Sequence, residues 1–186
     1  PNGKQLAFVN NPSLRDDFPD SSIAIINIDG TDFQQLTPDN DSIWPSWSPD
    51  GEQLLFQQSR KLYMMNADGT NTKTLTRGNW PSWSSNGSQI AFEREGNIFV
   101  MNSDGTDIRA LTQDGENTLP VLSPDGTKVV FISTANQRCG LSFLDGPSFC
   151  TNELHVMNVD GSNMTVLRNK NNEAIIWSSV IWAPIN

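Results

Sequence analysis

The sequence is poor in the groups from which most active sites are built. Its 186 residues include one histidine, one tyrosine and two cysteines. A single histidine excludes a multi-histidine metal centre. Cations are also scarce: 12 Lys and Arg stand against 21 Asp and Glu, a formal charge of −9. That balance repels the phosphate backbone that supplies most non-specific affinity for nucleic acid. Nucleic acid is therefore not an expected partner. No apolar run approaches the roughly 20 residues of a spanning helix, so membrane insertion is not expected either. The N-terminal Pro1-Asn2-Gly3-Lys4 has no signal-peptide pattern and starts in mid-motif, which leaves room for a leader or an upstream segment. No phosphate-cradling glycine loop is present. Gly146-Pro147-Ser148-Phe149-Cys150 lacks the final glycine and the strand-to-helix setting of a nucleophile elbow.

What the chain does have is a repeat. Asn27-Ile28-Asp29-Gly30-Thr31, Asn66-Ala67-Asp68-Gly69-Thr70, Asn102-Ser103-Asp104-Gly105-Thr106 and Asn158-Val159-Asp160-Gly161-Ser162 are four copies of one turn, spaced by 39, 36 and 56 residues. Leu-Thr follows three of them, at Leu36-Thr37, Leu75-Thr76 and Leu111-Thr112. A second turn runs out of phase: Ser48-Pro49-Asp50-Gly51, Ser84-Ser85-Asn86-Gly87 and Ser123-Pro124-Asp125-Gly126, with Pro1-Asn2-Gly3 as a truncated copy. Proline at the second position and glycine at the fourth fit a type I turn. Each copy leads into a short strand ending at Phe8, Phe56, Phe92 or Phe131.

One unit thus reads as four strands in roughly 40 residues, the period of a propeller blade. A single four-stranded sheet cannot bury both of its apolar faces, so the blades must stack and share cores. The expected fold is an all-β propeller of four four-stranded blades forming one domain over 1–186. Blade 1 takes about 1–37 plus a C-terminal strand at 179–186, blade 2 about 38–76, blade 3 about 77–112 and blade 4 about 113–169. Pairing of the two chain ends would close the ring and remove an exposed sheet edge. A closed monomer is favoured, and two chains exchanging ends into an eight-bladed ring is the alternative.

Pro45-Ser46-Trp47-Ser48-Pro49-Asp50-Gly51 and Met65-Asn66-Ala67-Asp68-Gly69-Thr70 resemble the TolB-like propeller repeat over nearly the whole chain. The resemblance implies a periplasmic protein-interaction module. Family propellers usually carry six or more blades, and this chain holds four.

Scaffold turns repeat, whereas the opposite loops vary, and variable loops on a rigid scaffold are where function usually sits. Two of those loops are enlarged, Val9 to Ser22 and Ser133 to Glu153. They offer Arg15, Asp16 and Asp17 on one side and Arg138 and Phe143 on the other as a ligand wall. Trp47, Trp83 and Trp182 occupy the repeat position and read as core. Trp44 and Trp80 lie three residues earlier, near the channel mouth, and Trp177 lies in the last connection. These three can grip a partner or stack on a sugar ring, with Asp41, Asn79, Glu116 and Asn117 nearby as hydrogen-bonding groups, or they can plug a narrow channel.

Asp and Asn oxygens at alternate positions can begin a calcium site, but the Asn-x-Asp-Gly loops lack a downstream bidentate glutamate and read as turns. No cofactor is expected. His155 matches Tyr63 and Phe99 in other blades and reads as a packing residue. Cys139 and Cys150 share the longest loop. A disulfide there would stabilise by up to roughly 3 kcal/mol and place the chain in an oxidising, extracytoplasmic compartment; two free thiols are the alternative. The reading is a non-catalytic module that binds a protein, with a lectin-like carbohydrate binder as the second hypothesis and a carboxylate-based lyase or hydrolase as the third.

Overall fold

The fold was read from a computed structural model, which describes residues 2–11, 20–38, 40–140 and 149–171; the side chains of 136–140 and 149–151 are not described. Every regular element among them is a β-strand. Blade 1 contains β1 (Gln5–Asn10), β2 (Ser22–Asn27) and β3 (Gln34–Gln35). Blade 2 contains β4 (Ser42–Trp47), β5 (Gln53–Gln58), β6 (Lys61–Asn66) and β7 (Lys73–Arg77). Blade 3 contains β8 (Asn79–Trp83), β9 (Gln89–Arg94), β10 (Asn97–Asn102) and β11 (Arg109–Ala110). Blade 4 contains β12 (Asn117–Leu122), β13 (Lys128–Gly140), β14 (Phe149–Asn158) and β15 (Thr165–Val166). All four sheets are antiparallel meanders in chain order. The C-terminal strand expected to complete blade 1, with Trp182, lies outside the described residues.

Both turn families are held by their own side chains. In the first copy the Thr31 amide and hydroxyl donate to Asp29 Oδ1 at 3.0 and 2.7 Å, and the Asn27 amide group donates to Thr31 Oγ1 at 3.0 Å. The copies at Asn66 and Asn102 repeat this arrangement. These donors favour the ionised carboxylate, so Asp29, Asp68 and Asp104 are held below the usual aspartate range by the threonine hydroxyl first and the amide second. In the other family the Ser123 hydroxyl, then the Thr127 amide and hydroxyl, bring Asp125 down to about 2. The turns therefore explain the Asn-x-Asp-Gly pattern without an ion.

Central strands are buried on both faces, so neighbouring residues serve different cores. Leu54, Phe56 and Met65 pack with Ile23 and Ile25 of blade 1, whereas Leu55, Leu62 and Met64 pack with Ile90, Phe92 and Met101 of blade 3. Ala91 and Ile98 in turn meet Val129, Phe131 and Met157 of blade 4. A cross-strand aromatic pair recurs in three blades: Phe56 with Tyr63, Phe92 with Phe99 and Phe131 with His155, at ring-centroid distances of 5.4, 5.5 and 5.4 Å. His155 is 8% exposed and fills the packing position read from the repeat.

The segment from Ser133 to Glu153, expected as a loop, differs. β13 and β14 extend into it as a hairpin, with a register shift between Ser133 and Arg138 and with Cys139 opposite Cys150. Its Ser, Thr, Asn and Gln side chains give no apolar alternation, so the pairing is a matter of backbone hydrogen bonding that side-chain pattern does not reveal.

Candidate functional site

The first strands of blades 2, 3 and 4 share one departure from regularity. The registers of β4, β8 and β12 each shift by one residue, between Ile43 and Ser46, Asn79 and Ser82, and Thr118 and Val121, so that two residues of each strand stand opposite one of its partner. The intervening pairs are Trp44-Pro45, Trp80-Pro81 and Leu119-Pro120. Proline has no N–H to give the ladder, so it is tolerated where pairing is already interrupted. The residue before each proline sits at positive φ, 56° for Trp44, 48° for Trp80 and 52° for Leu119. That conformation is unfavourable by roughly 1–3 kcal/mol per residue and tends to persist at functional positions. Bulges re-aim side chains, and here two tryptophans and a leucine from three blades line one cavity.

Trp44, Trp80, Leu119 and Ile132 line a cavity of about 430 Å³ that also reaches Ser46 and Ser82. Trp44 also borders a second apolar cavity of about 440 Å³, shared with Phe8, Val9 and Ile43. It is 55% exposed. The Trp80 bulge is fixed from the neighbouring blade, because its backbone N–H donates to Oε1 of the buried Gln57 at 3.1 Å. Trp47 and Trp83 pack into the cores between blades 1 and 2 and between blades 2 and 3, and Trp83 also borders the 430 Å³ cavity. Their indole N–H groups are buried with no partner among the described residues.

The other expected site residues divide. Asn79 donates to Glu93 Oε2 at 2.7 Å. Asn117 is 3% exposed, and its amide donates to Thr112 and Asp114. Glu116 is exposed and its carbonyl accepts from the Thr134 amide at 2.7 Å. Asp41 is half-buried with φ at 54°. Arg15, Asp16, Asp17, Phe143 and Trp177 lie outside the described residues, as does the Arg138 side chain. Leu119 was not singled out from sequence, although the shared X-Pro position in Trp44-Pro45, Trp80-Pro81 and Leu119-Pro120 is a bulge signal that places it with the tryptophans.

Residues 1–158 match the family described as TolB beta propeller domain. The chain belongs to that family. A search of curated proteins returned no match. Among solved structures, the putative TolB from Agrobacterium tumefaciens is similar at 24% identity and a TM-score of 0.70, over 89% of this chain and 61% of that one. TolB from Acinetobacter baumannii is similar at 18% identity and a TM-score of 0.66, over 91% and 43%. An oligogalacturonate lyase from Vibrio parahaemolyticus is similar at 14% identity and a TM-score of 0.65, over 88% and 49%. The chain thus spans less than two thirds of each of these structures, and at these identities the likeness concerns the fold. A TolB-type blade array with a tryptophan-lined inner wall is what the sequence and the structure share.

Proposed function

We propose that this chain is a non-catalytic interaction module that grips a protein partner at the tryptophan-lined mouth of its variable-loop face. The observation that carries the reading is Trp44, 55% exposed and held at positive φ between two apolar cavities. An aromatic anchor beside apolar pockets is the usual anatomy of an interaction hot spot. A sugar would need free polar groups around the ring, yet Asn79 and Asn117 already donate within the fold. The surroundings of Trp44 therefore favour a protein over a glycan, and among the described residues no carboxylate lines the 430 Å³ cavity to support a lyase or hydrolase.

Peptides selected from a displayed library against the wild-type chain should lose about 30-fold or more in affinity with Trp44→Ala, since an exposed hot-spot tryptophan contributes about 2 kcal/mol or more. The melting midpoint should hardly move. Undiminished binding by Trp44→Ala would refute the mouth as the site, and strong hits on a glycan array without peptide hits would favour the lectin reading.

An extracytoplasmic location and a Cys139–Cys150 disulfide belong to the same proposal. The register that places the two residues opposite each other supports it, because antiparallel partners have Cα separations of about 4.5–5.5 Å, within the range that a disulfide spans. Protein prepared under oxidising conditions should show a two-hydrogen mass deficit and resist alkylation. Two freely alkylated thiols would remove both parts of this proposal.

A further inference from the structure

We infer that the cleft between blades 2 and 3 on the variable-loop face binds a carboxylate-bearing segment of a peptide partner; this rests on the proposed interaction role and gives that partner its chemistry. A cavity of about 370 Å³ opens there, and Arg60, Lys61, Arg77 and Arg94 all line it. These are four of only 12 cations in a chain of charge −9. Lys61 and Arg77 are direct cross-strand partners in β6 and β7, and like charges directly opposite each other destabilise a sheet. Among the described residues the ion pairs are those of Glu153 with His155 and Arg168, so none of the four cations is ion-paired. Arg94 instead lies over the Phe99 ring, 4.0 Å from its centroid, which steadies the guanidinium without neutralising it.

The cluster is built rather than scattered. Gly78 follows Arg77 and lies flat against blade 3, where a Cβ would come within 2.6 Å of Phe92 Cδ2 and 3.0 Å of the Glu93 carbonyl. Its amide donates to the Arg60 carbonyl at 3.0 Å. This close approach brings cations from three separate stretches of sequence to one cleft. The charges are not a requirement of the repeat: Pro38 and Gln113 occupy the place of Arg77, and Asn97 that of Lys61. Of the two acids in the cleft, Glu93 is 6% exposed and accepts from Asn79 and from the Gly96 amide. Glu95 stands exposed at the rim. The remaining modest excess of positive charge suits one or two carboxylates, which arginine can hold in two parallel hydrogen bonds. Asn79 at the cleft is followed directly by Trp80 at the mouth, so one extended peptide can reach both.

The test is fluorescence anisotropy with two labelled probes, Gly-Glu-Glu-Glu-Gly and its glutamine counterpart. The glutamate peptide should bind the wild-type chain, more weakly as salt rises, and the glutamine peptide should not. Arg77→Gln and Arg60→Gln should each weaken binding about tenfold, whereas Lys4→Gln, an exposed cation on the opposite face, should leave it unchanged. Arg77→Gln should also melt at or above the wild-type midpoint, because it removes a repulsion; this separates lost binding from lost fold. Equal binding of both peptides, wild-type affinity in Arg77→Gln, or binding of tripolyphosphate without the glutamate peptide would each overturn the inference. Trp44→Ala should keep the glutamate peptide while losing library-selected ones, so failure at the mouth and failure at the cleft read out separately.

Discussion

Leu54→Ala should lower the unfolding free energy by about 2–5 kcal/mol, the usual loss for a fully buried leucine. Leu6→Ala, the same residue at the same repeat position, should change it by about 0.5 kcal/mol or less, as exposed sites do. Each residue follows a glutamine at the start of its strand and precedes the repeat phenylalanine by two. The difference lies in what covers it. Leu54 is fully buried against blade 1, and Ile90 and Val129 at the equivalent positions are fully buried against blades 2 and 3, whereas Leu6 is 58% exposed. Phe8 likewise meets Phe33, 55% exposed, at a centroid distance of 6.3 Å, where Phe56 meets Tyr63 inside a core. Denaturant titration of the two variants gives the comparison directly. Equal losses at both positions would show that the Leu6 face is covered in solution.

Most of the scaffold was legible because its determinants are local. An aspartate two residues before a threonine, followed by glycine, closes its own turn through bonds that span two residues, and the strand phenylalanines mark the blade interfaces. The place of His155 followed from the same alignment of blades. Features that depend on register or on stacking were not legible. Trp44 and Trp80 read from sequence as lying near the mouth, but their positive φ angles arise at a one-residue bulge that depends on β5 and β9 as partners. The cationic cleft escaped notice for a related reason: Arg60, Arg77 and Arg94 are far apart in sequence and meet only when blade 3 packs on blade 2. Asn117 was legible as polar and near a connection, but its commitment to Thr112 and Asp114 depends on how that connection folds back.

The same folding back sets up the second large effect. Gly96→Ala should destabilise the chain by about 3 kcal/mol or more, whereas Gly30→Ala should cost only about 1–2 kcal/mol. Both glycines have positive φ, 74° and 85°, and the left-handed conformation alone penalises alanine by roughly 1–2 kcal/mol. At Gly30 nothing lies within 4 Å of an added Cβ, so the conformational penalty is the whole effect. At Gly96 the added Cβ would fall 1.9 Å from the carbonyl oxygen of Gly115 and 2.4 Å from its carbon. Backbone cannot yield as a flexible side chain does, so the connection from blade 3 to blade 4 would have to move. That connection is tied down at this point: the Gly115 amide donates to Asn97 Oδ1 at 3.0 Å, and the Asn117 amide donates to the Gly96 carbonyl at 2.7 Å. Displacing it loosens these bonds and the entry to β12, which carries the Leu119 bulge that lines the tryptophan cavity. Thermal melts should therefore rank Gly96→Ala well below Gly30→Ala, and hydrogen exchange should show the extra loss of protection at Gly115 and Asn117. Equal melting midpoints would mean that the two blades are not in close contact at Gly96.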